Sequence, residues 1–491
     1  MRNNIVDTVF DNSFSILSHC FQVNNNSSVM PPQYVESQGK DSEPALQDHT
    51  HYAGRGVAGV TKPITLAKKG IRQIRLEPSG EKKEILSIGL ACSECLSGPQ
   101  LAKVLKRGFE YEQKVLKDLE DGNYAAPLAI HTSAGIPEAT GEFMKALEPH
   151  LPWSAREDWC LSLQLEGASA VMAAIDFMMQ EQILLTGNNN RKMVAVGGAS
   201  YHGPPSTSFG SACPLWEREY QLKYPVPLAG QPIDTDKLLG EYTDFLEKHG
   251  ESIGVLLVEP QWGSSQAAYP WPKDLLKTYI KMAQERGIRV VADEIMCGLG
   301  RHGHGTLFVS KAWDLDPDAV TFGKSVAGGA YPLSGAIMKH GRDILHSNGK
   351  SVLQSHTFAG SSQRALMTAT DVLLELPKWL PSIAHHGCEM KNIFDELQAM
   401  SCGLLTGQGQ GLMWGGLFTK NGKLSDETYR ATVISAFTSK CGEVGVLPYF
   451  IPAGGFMVTP VCDVDLATIH EIGGKLKEAL QRTMDEVGWL N

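Results

Sequence analysis

The sequence predicts an α/β chain built on a mostly parallel sheet, followed by a smaller α+β part. Three observations lead there. From about 130 to 376, short apolar runs alternate with longer stretches of helical period, the pattern of strands buried on both faces and joined by helices. After about 377 the pattern changes to helix, strand and a closing helix at Leu466–Val487. At 491 residues the chain is too long for one core, so two or three packed units are expected.

In chain order, residues 1–60 read as an extension rich in Asn, Ser, Gln and Asp. It lacks the apolar run of a secretory signal and the Arg-rich pattern of a transit peptide, and is expected to be poorly ordered in part. Residues 61–126 form an N-terminal segment of the smaller domain, with short strands from Ile64 and an amphipathic helix at about Gln100–Asp118. The large domain, 127–376, offers strands at Lys192–Gly197, Ile253–Glu259, Ile288–Asp293, Ala319–Phe322 and Ser334–Met338, and helices at Ala168–Leu185, Leu239–His249 and Trp271–Gly287. Residues 377–491 complete the small domain. There is no internal repeat.

Bulk properties exclude several classes. The net charge of −10, without a long basic block, argues against nucleic-acid binding. No stretch of eighteen apolar residues predicts a spanning helix. The ten cysteines are scattered, and Cys92-Ser93-Glu94-Cys95 has no second pair at zinc spacing; a metal ribbon is not expected. Dispersed reduced cysteines suit a reducing compartment, and a cytoplasmic location is expected.

The chemistry concentrates at strand ends, where open α/β sheets bind ligands. Val290-Val291-Ala292-Asp293-Glu294 is an apolar strand ending on two acids, and alone it reads as a helix cap or surface acid. Thirty-one positions on, Thr321-Phe322-Gly323-Lys324-Ser325 is another apolar strand, ending on a lone lysine. A lysine desolvated beside a crevice is a nucleophile for an aldehyde; without the acid upstream it reads as a snorkelling surface lysine. Leu165-Glu166-Gly167-Ala168-Ser169-Ala170 opens a long helical pattern with small residues, placing free N–H groups where a phosphate is favoured. Ala199-Ser200-Tyr201-His202-Gly203 follows a strand and offers an aromatic face. A pyridoxal-phosphate (PLP) site requires these parts: a lysine, an acid for the ring nitrogen, a flat face and phosphate donors.

In this order the motifs resemble those of the class III aminotransferases, PLP enzymes of fold type I. The resemblance is close over about 130–367. It implies a large domain with a mostly parallel seven-stranded sheet, and Lys324 as the catalytic lysine carrying the cofactor as a Schiff base (an aldimine). Asp293 is implied on the ring nitrogen, Gly167, Ala168 and Ser169 on the phosphate, Tyr201 and Ile295 on the two ring faces, and His202 beside them. His356-Thr357-Phe358-Ala359-Gly360 resembles the segment whose threonine reaches the neighbouring subunit's phosphate, implying a homodimer with shared sites. Glu259 and Trp262 fall near the substrate. The implied reaction moves an amino group from an amine or amino acid to an oxo-acid.

Two departures stand out. Met296 occupies a position where the family often has a glutamine contacting the cofactor's phenolic oxygen. Met457, in Gly455-Phe456-Met457-Val458, stands where α-amino-acid enzymes carry a carboxylate-binding arginine. After Pro377 the arginines are Arg430 and Arg482, the latter on a surface helix. A buried carboxylate without its bidentate partner is costly, so a primary amine, or an amine remote from any carboxylate, is the expected donor in preference to an α-amino acid; Arg430 or Arg218 swinging in is the alternative.

Other patterns carry less. Gly298-Leu299-Gly300-Arg301-His302-Gly303 matches a dinucleotide fingerprint but opens no helix. Gly407-Gln408-Gly409-Gln410-Gly411 reads as a turn before a strand. His302 with His304, or His49 with His51, lacks a third metal ligand. Two rival functions share the pattern: a racemase, epimerase or aminomutase on the same fold, and a non-enzymatic α/β ligand-binding protein.

Overall fold

Runs of branched residues dominate the middle of the chain, and in the computed structural model they become fully buried strands. The structure describes residues 64–487 apart from 78, 90–92, 132–133, 154–157, 204–219, 340–356, 421–422, 425–426 and 452–453. All described residues belong to one compact unit, 62–491. Cys92, Arg218, His356, His49 and His51 therefore lie outside the described residues, as does the extension 1–60.

The chain opens with an antiparallel meander, β1 (Ile64–Lys69), β2 (Arg72–Leu76) and β3 (Lys82–Ser87). Helices α1 (Gly98–Glu120) and α2 (Ala139–Leu147) follow. The central part runs β4 (Trp159–Gln164), α3 (Gly167–Thr186), β5 (Met193–Gly197), β6 (Gln221–Tyr224), α4 (Thr235–His249), β7 (Ile253–Val258), α5 (Lys273–Gln284), β8 (Arg289–Asp293), α6 (Val309–Trp313), β9 (Ala319–Phe322) and β10 (Ser334–Lys339). Then come α7 (Gln363–Glu375), α8 (Leu380–Met400), β11 (Leu405–Gln410), β12 (Met413–Lys420), β13 (Lys423–Leu424), α9 (Glu427–Val444), β14 (Val446–Leu447), β15 (Tyr449–Ile451), β16 (Gly455–Val458) and α10 (Leu466–Val487).

The central sheet has seven strands in the order β4-β10-β9-β8-β7-β5-β6. Strands β9, β8, β7, β5 and β6 pair in parallel, and β10 alone is antiparallel to its neighbours β4 and β9. Every residue of β7 and β9 is buried, as expected where helices cover both faces. The carboxyl ends of β5, β7, β8 and β9 therefore share one rim. Helix α3 packs across β4, β7, β8, β9 and β10. It is long and apolar enough, by length and composition, to cross a membrane, and more than half of that stretch is buried against the rest of the chain. No run of eighteen apolar residues marked it in sequence, because Ser169, Asp176 and Gln180 interrupt it.

Several expectations need correction. Strands β4 and β6 were not anticipated; every residue of β4 except Gln164 is only half-buried, and β6 has just four residues, so neither makes an apolar run. Helix α5 begins at Lys273 because Pro272 caps it in an extended conformation. Helix α4 begins at Thr235, four residues earlier than its apolar period, because the Asp234 side chain accepts the Lys237 N–H. The glycine-rich Gly407–Gln410 is not a turn but strand β11, paired with β12; the turn is Gly411-Leu412, with Gly411 at φ +53°. Strands β11, β12, β16 and β15 form an antiparallel sheet. The first meander is extended by β14, which pairs in parallel with β3.

Candidate active site

Four strand ends build the site. At the tip of β8, Asp293 is buried and pairs in register with Thr321 of β9. Its Oδ1 accepts the Ile295 N–H at 3.1 Å and the Thr321 hydroxyl at 3.2 Å. Its Oδ2 lies 2.8 Å from His202 Nδ1. A carboxylate only accepts, so Nδ1 carries the proton of that bond. The other ring nitrogen, Nε2, is buried with no partner among the described residues. Thr321 was not anticipated as a site residue; its signal is positional, three residues before Lys324 on the neighbouring strand.

Lys324 stands just past the tip of β9, three residues after Asp293's register partner. It opens a 3-10 turn, Lys324–Ala327, at φ +48°. A non-glycine residue in this left-handed region costs about 1–2 kcal/mol, and such strain gathers at functional sites. Gly323 must be glycine: a Cβ would lie 2.9 Å from Ser334 Cβ and 3.2 Å from Ile295 Cδ1. Gly167, at the start of α3, is under the same constraint, with Ile295 Cγ2 at 2.9 Å from its missing Cβ. Ile295 thus touches both the lysine loop and the helix start.

Helix α3 has no side-chain cap from Glu166. Its internal pairing starts at the Ala170 N–H, which donates to Glu166 O at 3.1 Å. That leaves the first-turn N–H groups of Gly167, Ala168 and Ser169 outside the helical ladder. The Ser169 hydroxyl reaches Glu166 Oε1 at 3.4 Å.

Glu259 follows β7, adjacent to β5. Its Oε1 accepts the Tyr201 N–H at 2.9 Å and its Oε2 the Gly263 N–H at 3.3 Å. Burial pushes its carboxyl well above the usual range; the His202 ring and the two N–H groups oppose this, while Asp293 adds to it. Both Glu259 oxygens thus meet backbone N–H groups, each with a further lone pair to accept another partner. Trp262 is buried, stacked on Tyr269 and Trp271. Met457 is buried within β16. Met296 lays its sulfur against Gly263, 2.6 Å from where a Cβ would stand.

The neighbouring acid, Glu294, has a different task. It receives the Val309 N–H at 2.5 Å and the Ser310 N–H at 2.7 Å, capping α6. Burial pushes it up to about 7, against the hydrogen bonds from Ser310 and Val309. Arg301 is buried and donates to the carbonyls of Pro460 (2.6 Å), Glu94 (3.2 Å) and Leu412 (3.4 Å), stitching three distant segments together. His302 is fully buried and pushed down to about 3 by burial and by His304. Arg482 sits on α10 among Glu443 and Glu478. Thr357 is exposed, beside the exposed Phe358.

The family model for class III aminotransferases matches residues 129–480. The chain belongs to that family. It is 25 % identical over 322 residues to gamma aminobutyrate transaminase 3, chloroplastic, of Solanum lycopersicum, covering 61 % of each chain. It is 27 % identical over 288 residues to the alanine/serine racemase of Pyrococcus horikoshii, covering 56 % of this chain and 57 % of the relative. The chain thus spans less than two thirds of the length of these relatives. Among solved structures, the omega-transferase of Vibrio fluvialis superposes with a TM-score of 0.73 at 15 % identity, covering 87 % of this chain and 100 % of that one. The fold is that of the fold-type I transaminases, and class III aminotransferases are PLP-dependent. The residues here fit that cofactor: a buried acid for a ring nitrogen, N–H groups outside the helical ladder at a helix start for a phosphate, and a lysine just past the end of the strand paired with that of Asp293.

Proposed function

We propose that this protein is a PLP-dependent aminotransferase, moving an amino group from an amine or amino acid to an oxo-acid. The observation that carries the reading is the pairing of β8 and β9, which sets buried Asp293 against Thr321 and so brings Lys324 to the same rim. When bound, PLP supplies an electron sink for the electrons of a broken C–H bond. Lys324 Nζ would hold the cofactor at its aldehyde carbon and would carry the proton at the substrate carbon. Asp293 would keep the ring nitrogen protonated, and its own orientation is fixed by Thr321, His202 and the Ile295 N–H. The N–H groups of Gly167, Ala168 and Ser169 would take the phosphate, with Tyr201 and Ile295 on the two ring faces.

We extend the reading to a homodimer in which Thr357 serves the neighbouring site. Leu128 and Phe358 are exposed on segments joined by the Ala129–Ser362 bridge, and Phe109, Leu116, Leu119 and Ile136 are exposed nearby in sequence; such apolar exposure marks interaction surfaces. The division into a large domain, 127–376, and a small one from 61–126 and 377–491 is supported by the β3–β14 pairing. We also place the protein in the cytoplasm, on the strength of its dispersed cysteines.

The donor is proposed to be an amine without an α-carboxylate. Strand β16 is apolar and buried throughout, and Arg430 packs its stem over Gly454. The test is a donor panel with pyruvate and 2-oxoglutarate as acceptors. A kcat/KM favouring glutamate or alanine about tenfold over simple amines, roughly 1.4 kcal/mol, overturns the donor class. The racemase relative keeps a second outcome in view, and inversion of a chiral amino acid without ketone formation would select it.

A further inference from the structure

We infer that Glu259 is a positioning residue, a carboxylate clamp that ties the ring-facing Tyr201 to the loop after β7, and not a substrate contact. The inference rests on the proposed PLP site only for what the clamp is for; the clamp itself stands on geometry.

Tyr201 has no secondary structure of its own. It lies four residues beyond β5, after a turn in which the Ser200 N–H donates to Gly197 O at 3.1 Å. Gly263 lies in the loop after β7. Strands β5 and β7 are parallel neighbours with Val196 opposite Leu257, so their tips end side by side. Glu259, the first residue past β7, is long enough to span the gap. One oxygen takes the Tyr201 N–H and the other takes the Gly263 N–H. Both donors are backbone amides of irregular loops, so the carboxylate supplies what a neighbouring strand would otherwise supply. The group is almost wholly out of water, where a broken hydrogen bond is costly.

The clamp also closes a chain of contacts. Asp293 holds His202, the residue after Tyr201, and Glu259 holds Tyr201. Two consecutive residues of one loop are thus pinned by acids from two different strands, β8 and the end of β7. A ring held against a cofactor needs its backbone fixed to well under an ångström. The loop beyond Gly263 is itself strained: Ala267 and Ala268 lie at φ +48° and +62°, both buried. Its second end is held by Gln261, whose Nε2 donates to Ala268 O at 2.8 Å. The clamp therefore anchors Tyr201 to a loop that is rigid in its own right.

The test compares Glu259→Gln, which keeps size but not charge, with Glu259→Asp, which keeps charge but not reach. In cofactor-stripped full-length protein, amide hydrogen exchange at 199–203 and 261–264 should quicken about tenfold or more in both variants, with distant segments unchanged. PLP should bind about tenfold more weakly, equivalent to ~1.4 kcal/mol. If Glu259→Gln does not fold, Glu259→Asp decides alone. Wild-type exchange at Tyr201 and Gly263 in the variants overturns the clamp, as does an effect confined to KM for the amine. Failure of wild-type protein to bind PLP would remove the proposed function, while the exchange result would still judge the clamp.

Discussion

The two rims of the central sheet carry opposite kinds of polar chemistry. At the amino ends of β8 and β9, charges are paired, although Glu181 Oε1 is buried without a partner among the described residues. Arg289 meets Asp318 at 2.8 Å and Glu181 at 3.1 Å, and Lys339, at the end of antiparallel β10, meets Asp316 at 2.8 Å. Asp318 also accepts the Val290 N–H at 2.8 Å, so the pair is built into the strand register. At the carboxyl rim, polar groups are left wanting: His202 Nε2 has no partner among the described residues, the first turn of α3 has no side-chain cap from Glu166, and Lys324 sits in a left-handed conformation. One rim is organised for stability. The other holds strain and unmet hydrogen-bonding capacity, which a bound group would relieve. The contrast is testable, because damage to either rim should leave the other's property intact.

The largest effect is expected from Lys324→Ala. Turnover should fall at least a thousandfold, about 4 kcal/mol, and borohydride should no longer attach the cofactor. The unfolding midpoint should hold or rise, since the substitution removes a half-buried charge in a strained position. An adduct that survives borohydride in this variant moves the covalent role to another residue.

Next comes the opposite rim. Arg289→Met leaves Glu181, only 2 % exposed, without its cation. Breaking a buried pair from one side costs roughly 3–5 kcal/mol, which urea unfolding will read directly. Affinity for PLP should stay within about twofold, below 0.5 kcal/mol. A matching loss of cofactor affinity at unchanged stability would reverse the assignment of the two rims.

Asp293→Asn tests the carboxyl rim without deleting volume. Losing one charge-assisted hydrogen bond, on the order of 1.5–3 kcal/mol, predicts a turnover lower by about tenfold or more. Stability should change little, because Asn still accepts from Thr321 and Ile295. Turnover within about twofold of wild type would mean that another group serves the ring nitrogen.

The same contrast explains what could be read from sequence. The carboxyl rim was legible because fully buried parallel strands are continuous apolar runs, and Asp293 and Lys324 each interrupt one at its end. Strand β9 matched its expected limits, and β7, β8 and β10 differed by one residue at an end. A strand-end acid such as Glu259 has the same sequence signature whether it meets a ligand or backbone N–H groups, so its two backbone partners could not be read from sequence. Asp293 and Glu294 make the point more sharply. Adjacent residues alternate sides at a strand end, so one faces the crevice and the other caps α6 fifteen residues away. Strand β11 was unreadable because glycine removes strand propensity, yet Gly407 is needed there: its Cβ would stand 3.2 Å from Phe394. The burial of Trp262 and Met457 was likewise not legible, since apolar residues near a site in sequence are as easily part of its foundation.

The smallest effect expected is on pH dependence, and its sign follows from Glu294. In the unfolded chain this carboxyl titrates near its ordinary 4.5; in the fold, burial raises it to about 7. Below 4.5 both states hold the proton, and the stabilisation from keeping Glu294 neutral is fully present. Between 4.5 and 7 the unfolded chain releases its proton while the folded chain keeps it. Stability therefore falls as pH rises, by at most ~1.4 kcal/mol per pH unit for this one group. Above 7 that contribution is gone. Burial raises Glu259 and Glu181 as well, so their slopes share this sign, while His302, pushed down to about 3, gives the opposite slope up to its ordinary 6.5; the contribution of Glu294 is therefore read from the difference between variant and wild type. Glu294→Gln removes one share of the decline while keeping one acceptor for the α6 cap. Unfolding free energies measured from pH 5 to 8 should then give a flatter line for the variant, whose neutral side chain matches protonated Glu294 at low pH, so that the two curves differ most near pH 8. Parallel curves would show that Glu294 is ionised throughout, held so by the Val309 and Ser310 N–H groups, and that the helix cap outweighs burial at this position.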